Sequence, residues 1–242
     1  MKITTHGAYL TQLTRLTLIN CFLVREDDGF TLVDTGMSGS ANDILKAAQQ
    51  LGASIRRITL THAHVDHVGS LDALHALLPD AEVSIGARDA RFLKGDKILD
   101  SQEQHDTLRG GFPICTTTPN RLLKPGDRVG SLEVVASPGH TPGHISFLDR
   151  RDRTLIAGDA YTSKGGLSTG GTFRLVFPLP AMATWSKTVG IQSAEALYAL
   201  QPSRLAVGHG NVLENPMAAM RAAIDEAKRH TQGTTHGTQQ AH

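Results

Sequence analysis

Three histidines and an aspartate crowd the segment Thr61-His-Ala-His-Val-Asp-His-Val-Gly69, where His62, His64, Asp66 and His67 fall within six positions. They follow the β-forming run Ile58-Thr59-Leu60. In an extended chain the side chains at i, i+2 and i+4 share a face, with a rise of roughly 3.3 Å per residue. His62, His64 and Asp66 are therefore expected to project together while His67 points elsewhere, so that a strand end bending into a loop feeds two neighbouring centres. Imidazole and carboxylate ligands suit Zn²⁺ best, with Fe²⁺ and Mn²⁺ as competitors. A solvated polar cluster at a strand-to-helix turn is the competing reading, and four ligand-type residues this close weigh against it.

A metal centre needs more ligands than this window holds, and three downstream sites share one design: a short apolar run closed by a breaker and a ligand-type side chain. Leu132-Glu-Val-Val-Ala136 runs into Ser137-Pro-Gly-His140-Thr-Pro-Gly-His144, where Pro and Gly hold His140 on a tight turn. Thr154-Leu-Ile-Ala-Gly-Asp159 ends on Gly and Asp, and Leu205-Ala-Val-Gly-His209-Gly ends on a glycine-flanked His. Each residue alone has an ordinary reading: His140 as a turn residue, Asp159 as a helix N-cap. His140 is preferred to His144 as a ligand because Pro138 and Gly139 fix its backbone, whereas His144 leads into apolar Ile145-Ser-Phe-Leu148 and reads as a helper or a packed residue.

Between about Asn20 and Asn211 the chain resembles the metallo-β-lactamase-fold hydrolase superfamily. The resemblance is carried, in order, by Leu32-Val-Asp34-Thr-Gly36, the His62 to His67 window, Gly139-His-Thr-Pro-Gly-His144, Gly158-Asp159 and Gly208-His209-Gly210. It implies that His62, His64 and His140 bind one metal, that Asp66, His67 and His209 bind the other, and that Asp159 bridges the two. It also matches Asp34 to the family's strand-end Asp near the metals. Two divalent ions, zinc first and iron or manganese next, are the cofactor it implies.

The elements that must position these residues alternate along the chain. A hairpin is expected around Asp27-Asp28-Gly29, from Leu16–Val24 to Phe30–Val33. Ile44, Leu45, Ala48 and Leu51 make a helical stripe ended by Gly52, Ser54 to Leu60 is the strand delivering the window, and Leu71 to Leu78 is a helix stopped by Pro79. Glu82 to Ile85 is a strand, residues 90–119 read as a helix-containing insertion near the site, and 194–200 and 216–230 read as helices. The expected fold class is α/β, an αββα sandwich of two facing sheets with helices outside. One domain over 1–230 and a disordered polar tail over 231–242 are expected.

Composition narrows the function classes. Lys and Arg total 24 against 23 acidic residues, a formal charge of +1, which leaves no electrostatic footprint for nucleic acid. No stretch approaches the ~20 apolar residues of a membrane span. The amino terminus lacks the apolar core of a signal peptide, and Cys21 and Cys115 are not in a C-x-x-C arrangement, so a reducing cytoplasm is expected. The oligomeric state stays open.

The expected chemistry is attack of a metal-bound hydroxide on an activated carbonyl, in an ester or lactone, at a centre left about one unit positive by its carboxylates and hydroxide. Asp66 is expected to shuttle the proton. Tyr161 is the candidate oxygen-facing donor, with a packed aromatic as its competing reading. The apolar run Phe173 to Trp185 after the glycine-rich loop 165–171 reads either as a wall over the metals or as core. Two alternatives stay open within the same fold: a glyoxalase II-like thioesterase, against which the short span after His209 counts, and an iron-dependent member using oxygen or sulfur chemistry.

Overall fold

Alternation of apolar side chains along the strands decides the layering. In the computed structural model, which describes residues 1–103 and 106–236, seven strands lie side by side in chain order: β1 (Lys2–His6), β2 (Leu10–Arg15), β3 (Ile19–Glu26), β4 (Gly29–Val33), β5 (Ile55–Leu60), β6 (Glu82–Gly86) and β7 (Arg121–Leu123). β1 to β4 pair antiparallel; β4 to β7 pair parallel. The second sheet comprises β8 (Arg128–Val129), β9 (Leu132–Ala136), β10 (Ile145–Asp149), β11 (Thr154–Ile156), β14 (Arg204–Ala206) and β15 (Leu213–Glu214), in the order β15-β14-β11-β10-β9-β8. A small ribbon of β12 (Tyr161–Thr162) and β13 (Ser168–Thr169) stands apart.

β3 is apolar on both faces, so it is covered on both. Phe22 and Val24 meet Val134, Phe147 and Ile156 of the second sheet, filling the space between the sheets. Cys21 and Leu23 face outward onto α1 (Ala41–Gln50), where Ile44, Ala47 and Ala48 recur at helical spacing. Gly52, at φ 76°, adopts the left-handed conformation that ends that helix. α2 (Val65–Val68), α3 (Leu71–Leu77) and α4 (Ala90–Leu93) follow; Leu71, Leu74 and Phe92 pack on the same face. After α5 (Leu179–Ala183), helices α6 (Lys187–Ala199) and α7 (Met217–His236) cover the outer face of the second sheet, with Ala194, Leu197, Met220 and Ile224 against Leu155 and Leu205. The order helix, sheet, sheet, helix is the expected αββα sandwich.

Several boundaries differ from expectation. β1 and β2 extend the first sheet ahead of the expected hairpin, and the turn between β2 and β3 places Leu16 and Thr17 at positive φ. α6 begins at Lys187 rather than Ala194; Gly190 blurs its helical signal because the helix backbone there packs directly on Gly139. The last helix runs to His236, beyond the expected boundary at His230, and 237–242 of the expected tail lie outside the described residues, as does His105. Among the described residues no helix is long and apolar enough to cross a membrane.

Candidate metal centre

Five strands aim their carboxyl ends at one rim of the sandwich. Asp34 follows β4 and His62 follows β5, which run parallel. His140, Asp159 and His209 follow β9, β11 and β14; β11 and β14 are parallel, and β9 shares their direction because both β9 and β11 pair antiparallel with β10. Main-chain bonds tie the rim together: Ile145 N–H to the Thr61 carbonyl at 2.9 Å, Gly208 N–H to Gly158 at 2.9 Å, and Asn20 N–H to Gly208 at 2.9 Å. The Asn20 side-chain amide adds a bond to the Val207 carbonyl at 2.9 Å.

The protonation of five imidazoles follows from what surrounds them. His209 Nδ1 faces the Leu18 carbonyl at 3.0 Å and His64 Nε2 faces the Arg109 carbonyl at 3.0 Å; a carbonyl only accepts, so these nitrogens carry the proton. His67 Nδ1 donates to Asp34 Oδ2 at 2.8 Å. Thr61 Oγ1 spends its proton on Asp34 and Thr184 Oγ1 spends its proton on the Pro180 carbonyl, so they accept from His62 Nδ1 and His140 Nδ1, each at 3.0 Å. Every outer nitrogen is thus a donor held by a partner, so the inner nitrogens of His62, His64 and His140 present lone pairs inward, while those of His67 and His209 face the carboxylates of Asp159 and Asp66. Two of the first three, His64 Nδ1 and His140 Nε2, stand 2.9 Å apart. Lone pairs at that separation repel unless a cation lies between them, and a ligand imidazole donating its other N–H outward is the arrangement metal sites use.

The inward atoms group into three sets whose members lie within 4.8 Å of one another: His62, His64 and His140; His62, His67 and Asp159; Asp66, His67 and His209. Asp159 faces both ends, with Oδ1 3.3 Å from His67 Nε2 and Oδ2 3.4 Å from His140 Nε2 and 3.2 Å from His209 Nε2. Asp66 Oδ2 is 3.2 Å from His209 Nε2. His62 Nε2, His67 Nε2 and Asp159 Oδ1 are buried with no hydrogen-bond partner, a costly arrangement that a divalent cation relieves. The residues therefore fit the metal centre that the resemblance implies. The expected convergence of His62 and His64 is present, but Asp66 does not share an extended face with them: the chain turns helical at α2, and that turn carries Asp66 and His67 toward His209.

Burial and neighbouring charge divide the imidazoles. Burial pushes His62 and His140 well below the usual histidine range and His64 down to about 4, keeping all three neutral and able to bind metal. Burial opposes charge on His67 and His209 too, yet the carboxylates outweigh it: Asp159, Asp34 and Asp66 raise His67 well above its ordinary value, and Asp159 and Asp66 bring His209 up to about 9. Against burial, His209 and His67 hold the Asp159 carboxyl well below the carboxylate range, and His67 and His209 do the same for Asp66.

Supporting residues lock this frame. Asp34, at φ 62°, accepts the Thr61 N–H at 2.8 Å besides His67. His144 is a helper: its Nε2 accepts the Asp159 N–H at 3.1 Å, which leaves Nδ1 to donate to Ser137 Oγ at 2.8 Å. Asp89, fully buried at the end of β6, escaped the sequence reading. Its Oδ2 accepts the Ala63 N–H at 3.0 Å and the Thr141 hydroxyl at 2.7 Å, and its Oδ1 accepts the Gly143 N–H at 2.8 Å, so one carboxylate clasps the two ligand loops. The signal was available: Glu82 to Gly86 followed by Ala-Arg-Asp89 repeats the strand-loop-carboxylate pattern of Asp34 and Asp159.

Tyr161 requires a correction. Its side chain is buried in the cluster under α6 and α7, and its hydroxyl donates to the Ala194 carbonyl at 2.9 Å, so no atom of it is offered to a substrate. Tyr161→Phe is expected to leave turnover unchanged and to lower unfolding free energy by about 1 kcal/mol, as for loss of one buried neutral hydrogen bond. Parallel kinetics and denaturant melts check this; a large fall in turnover with unchanged stability would restore the donor role.

A cleft of about 410 Å³ opens onto the inward atoms, with His64, Asp66, His140, Asp159 and His209 in its lining. Its remaining lining is mostly apolar, and none of the described lining residues is Lys or Arg. The Phe177 ring lies 5.0 Å from that of His209. Residues 90–119 reach the site as expected, Arg109 through its carbonyl and Gly110 and Gly111 in the cleft lining, although α4 is their only helix among the described residues. Gly110, at φ 90°, lies so close to the His64 ring that a Cβ would overlap it.

The family model described as the metallo-beta-lactamase superfamily matches residues 14–209. The uncharacterized protein YobT of Bacillus subtilis is 46% identical over 232 residues, covering 95% of this chain and 100% of its own. The hydroxyacylglutathione hydrolase GloC of Haemophilus influenzae is 30% identical over 166 residues, covering 66% and 71%. Among solved structures, TTHA1623 in a di-iron-bound form superposes with a TM-score of 0.64 at 27% identity, covering 88% of this chain and 97% of that one. A family model spanning most of the chain and relatives at this level of identity show that the chain belongs to the metallo-beta-lactamase superfamily, as a metal-dependent hydrolase.

Proposed function

We propose that the centre holds two divalent cations, zinc by preference, and hydrolyses a carboxylic ester or lactone. The observation that carries this is the set of five imidazoles whose outer nitrogens are all held by partners and whose inner nitrogens all converge on two carboxylates. His62, His64 and His140 would hold one cation, Asp66, His67 and His209 the other, with Asp159 between. Divalent cations bound there lower the pKa of water toward neutrality and polarise a carbonyl oxygen.

The chain's own residues do the rest. Asp66, with its side chain 29% exposed, is the ligand carboxylate most open to the cleft. It takes the proton shed by the attacking water and returns it to the departing alkoxide. The hydroxyl joins the acyl carbon, the acyl C–O bond breaks, and acid and alcohol leave, or a hydroxy acid when the ester is cyclic. Phe177, beside His209, limits water at the reacting carbonyl. An acylated glutathione, after which the Haemophilus influenzae relative is named, carries free carboxylates that this cleft meets with no cationic side chain among its described lining residues.

Protein purified without chelator is expected to carry about two zinc ions per chain, as the ligand sets imply, and to cleave aryl esters or lactones in a screen that includes thioesters. Chelation should abolish the activity and zinc should restore it. One iron per chain with oxygen-dependent turnover, or cleavage confined to thioesters, would overturn the reading.

A further inference from the structure

The α5 segment exposes apolar side chains where a soluble surface would place polar ones. Leu179 is 61% exposed and Met182 59%, and both line the cleft together with buried Phe177. Leu18, Met37 and Val65, from the loops and helical turn at the rim of the first sheet, supply further apolar lining. Phe173, Leu175 and Val176, just ahead of Phe177 in the chain, are exposed as well but do not line the cleft. Contiguous exposed apolar surface of the kind lining the cleft marks a place where something apolar docks.

Two features identify the occupant. The apolar lining is continuous with the reaction centre, since the same cleft is lined by His64, Asp66, His140, Asp159 and His209, so whatever lies along it is covalently near the scissile group. Away from the inward ligands, the stretch of Leu18, Met37, Val65, Phe177, Leu179 and Met182 offers no described Lys or Arg, so a charged group carried along it finds no partner. We propose that the substrate carries an uncharged aliphatic acyl tail, laid along Phe177, Leu179 and Met182 with its carbonyl at the inward ligands. This rests on the hydrolytic reading above and names the part of the substrate that reading leaves open. The tail supplies binding; Phe177, Leu179 and Met182 determine specificity and touch no reacting atom.

The test uses the zinc-loaded full chain. With 4-nitrophenyl esters from acetate to octanoate, kcat/KM is expected to rise roughly two- to fourfold per methylene, the range for transfer of a methylene from water to an apolar wall. In parallel, methyl hexyl ketone and methyl ethyl ketone, which are not hydrolysed, are titrated calorimetrically; the longer ketone should bind measurably tighter. The double variant Leu179→Asp, Met182→Asp alters exposed positions, so metal content and melting temperature report whether it stays folded. It is expected to flatten the ester series and to lose the preference for the longer ketone. A flat ester series in the wild type, ketones bound equally, or a double variant that keeps the preference would each overturn the proposal. Absence of any ester or lactone cleavage alongside a clear ketone preference would overturn the hydrolytic reading while supporting the apolar tail site. A dimer in sedimentation that dissociates in the double variant would mean that a second chain covers this surface, and would overturn the tail.

Discussion

Asp159→Ala is expected to reduce metal content from about two ions per chain to fewer than one and to lower turnover on the order of a thousandfold, since it removes a charged group set against both cations. No other side chain approaches three of the inward nitrogens so evenly: Asp159 lies 3.3 Å from His67, 3.4 Å from His140 and 3.2 Å from His209. Without it, the elevated proton affinity of His67 and His209 loses its largest carboxylate source, so the metal-free variant should also melt differently from the metal-free parent. Atomic emission analysis and turnover of the best ester from the screen are the measurements. Full metal content with full turnover would mean that these inward atoms are not the ligands.

Gly208→Ala is expected to do nearly as much with one methyl group. Gly208 does not adopt a positive φ, so alanine is tolerated by its backbone, yet a Cβ there would overlap Asp159 Oδ1 and crowd the His67 ring. Two ligands must move for the variant to exist. Metal affinity should fall by about 10- to 100-fold, comparable to loss of a group that orients a ligand, with turnover falling alongside it and the circular dichroism spectrum retained. Competition against a chromogenic chelator measures the affinity; an unchanged value would show that the ligands have slack which the packing denies.

The ligands were legible in the sequence for a physical reason. Each follows a strand that ends on a glycine, a proline or a change of chain direction, and such ends are where a sandwich of this kind presents side chains. His62, His64, His140, Asp159 and His209 all announce themselves this way. Asp89 follows a strand in the same way, but its work is done on main-chain N–H groups and a hydroxyl of the two loops, partners that only the folded structure brings together. Tyr161 misled because two positions beyond Asp159 implies a shared face only in an extended chain. The 3₁₀ turn Gly158–Ala160 intervenes and sends the ring toward α6. β1 and β2 were illegible for a different reason: polar residues of Lys2–His6 and Leu10–Arg15 interrupt the apolar alternation that marks a strand. The stretch after the glycine-rich loop held both of its readings at once. Phe177, Leu179 and Met182 line the cleft, while Trp185 is packed away with its indole N–H on the Asp106 carbonyl at 3.1 Å.

The pair of unshared electron pairs 2.9 Å apart on His64 and His140 reaches beyond catalysis. Those two rings arrive from different sheets, β5 on one side and β9 on the other, so closing the sandwich brings like against like. A cation bound at the seam would turn that conflict into cohesion, and its binding free energy would become part of the free energy of closure. An ion bound there would belong to this protein's architecture in the way a keystone belongs to an arch.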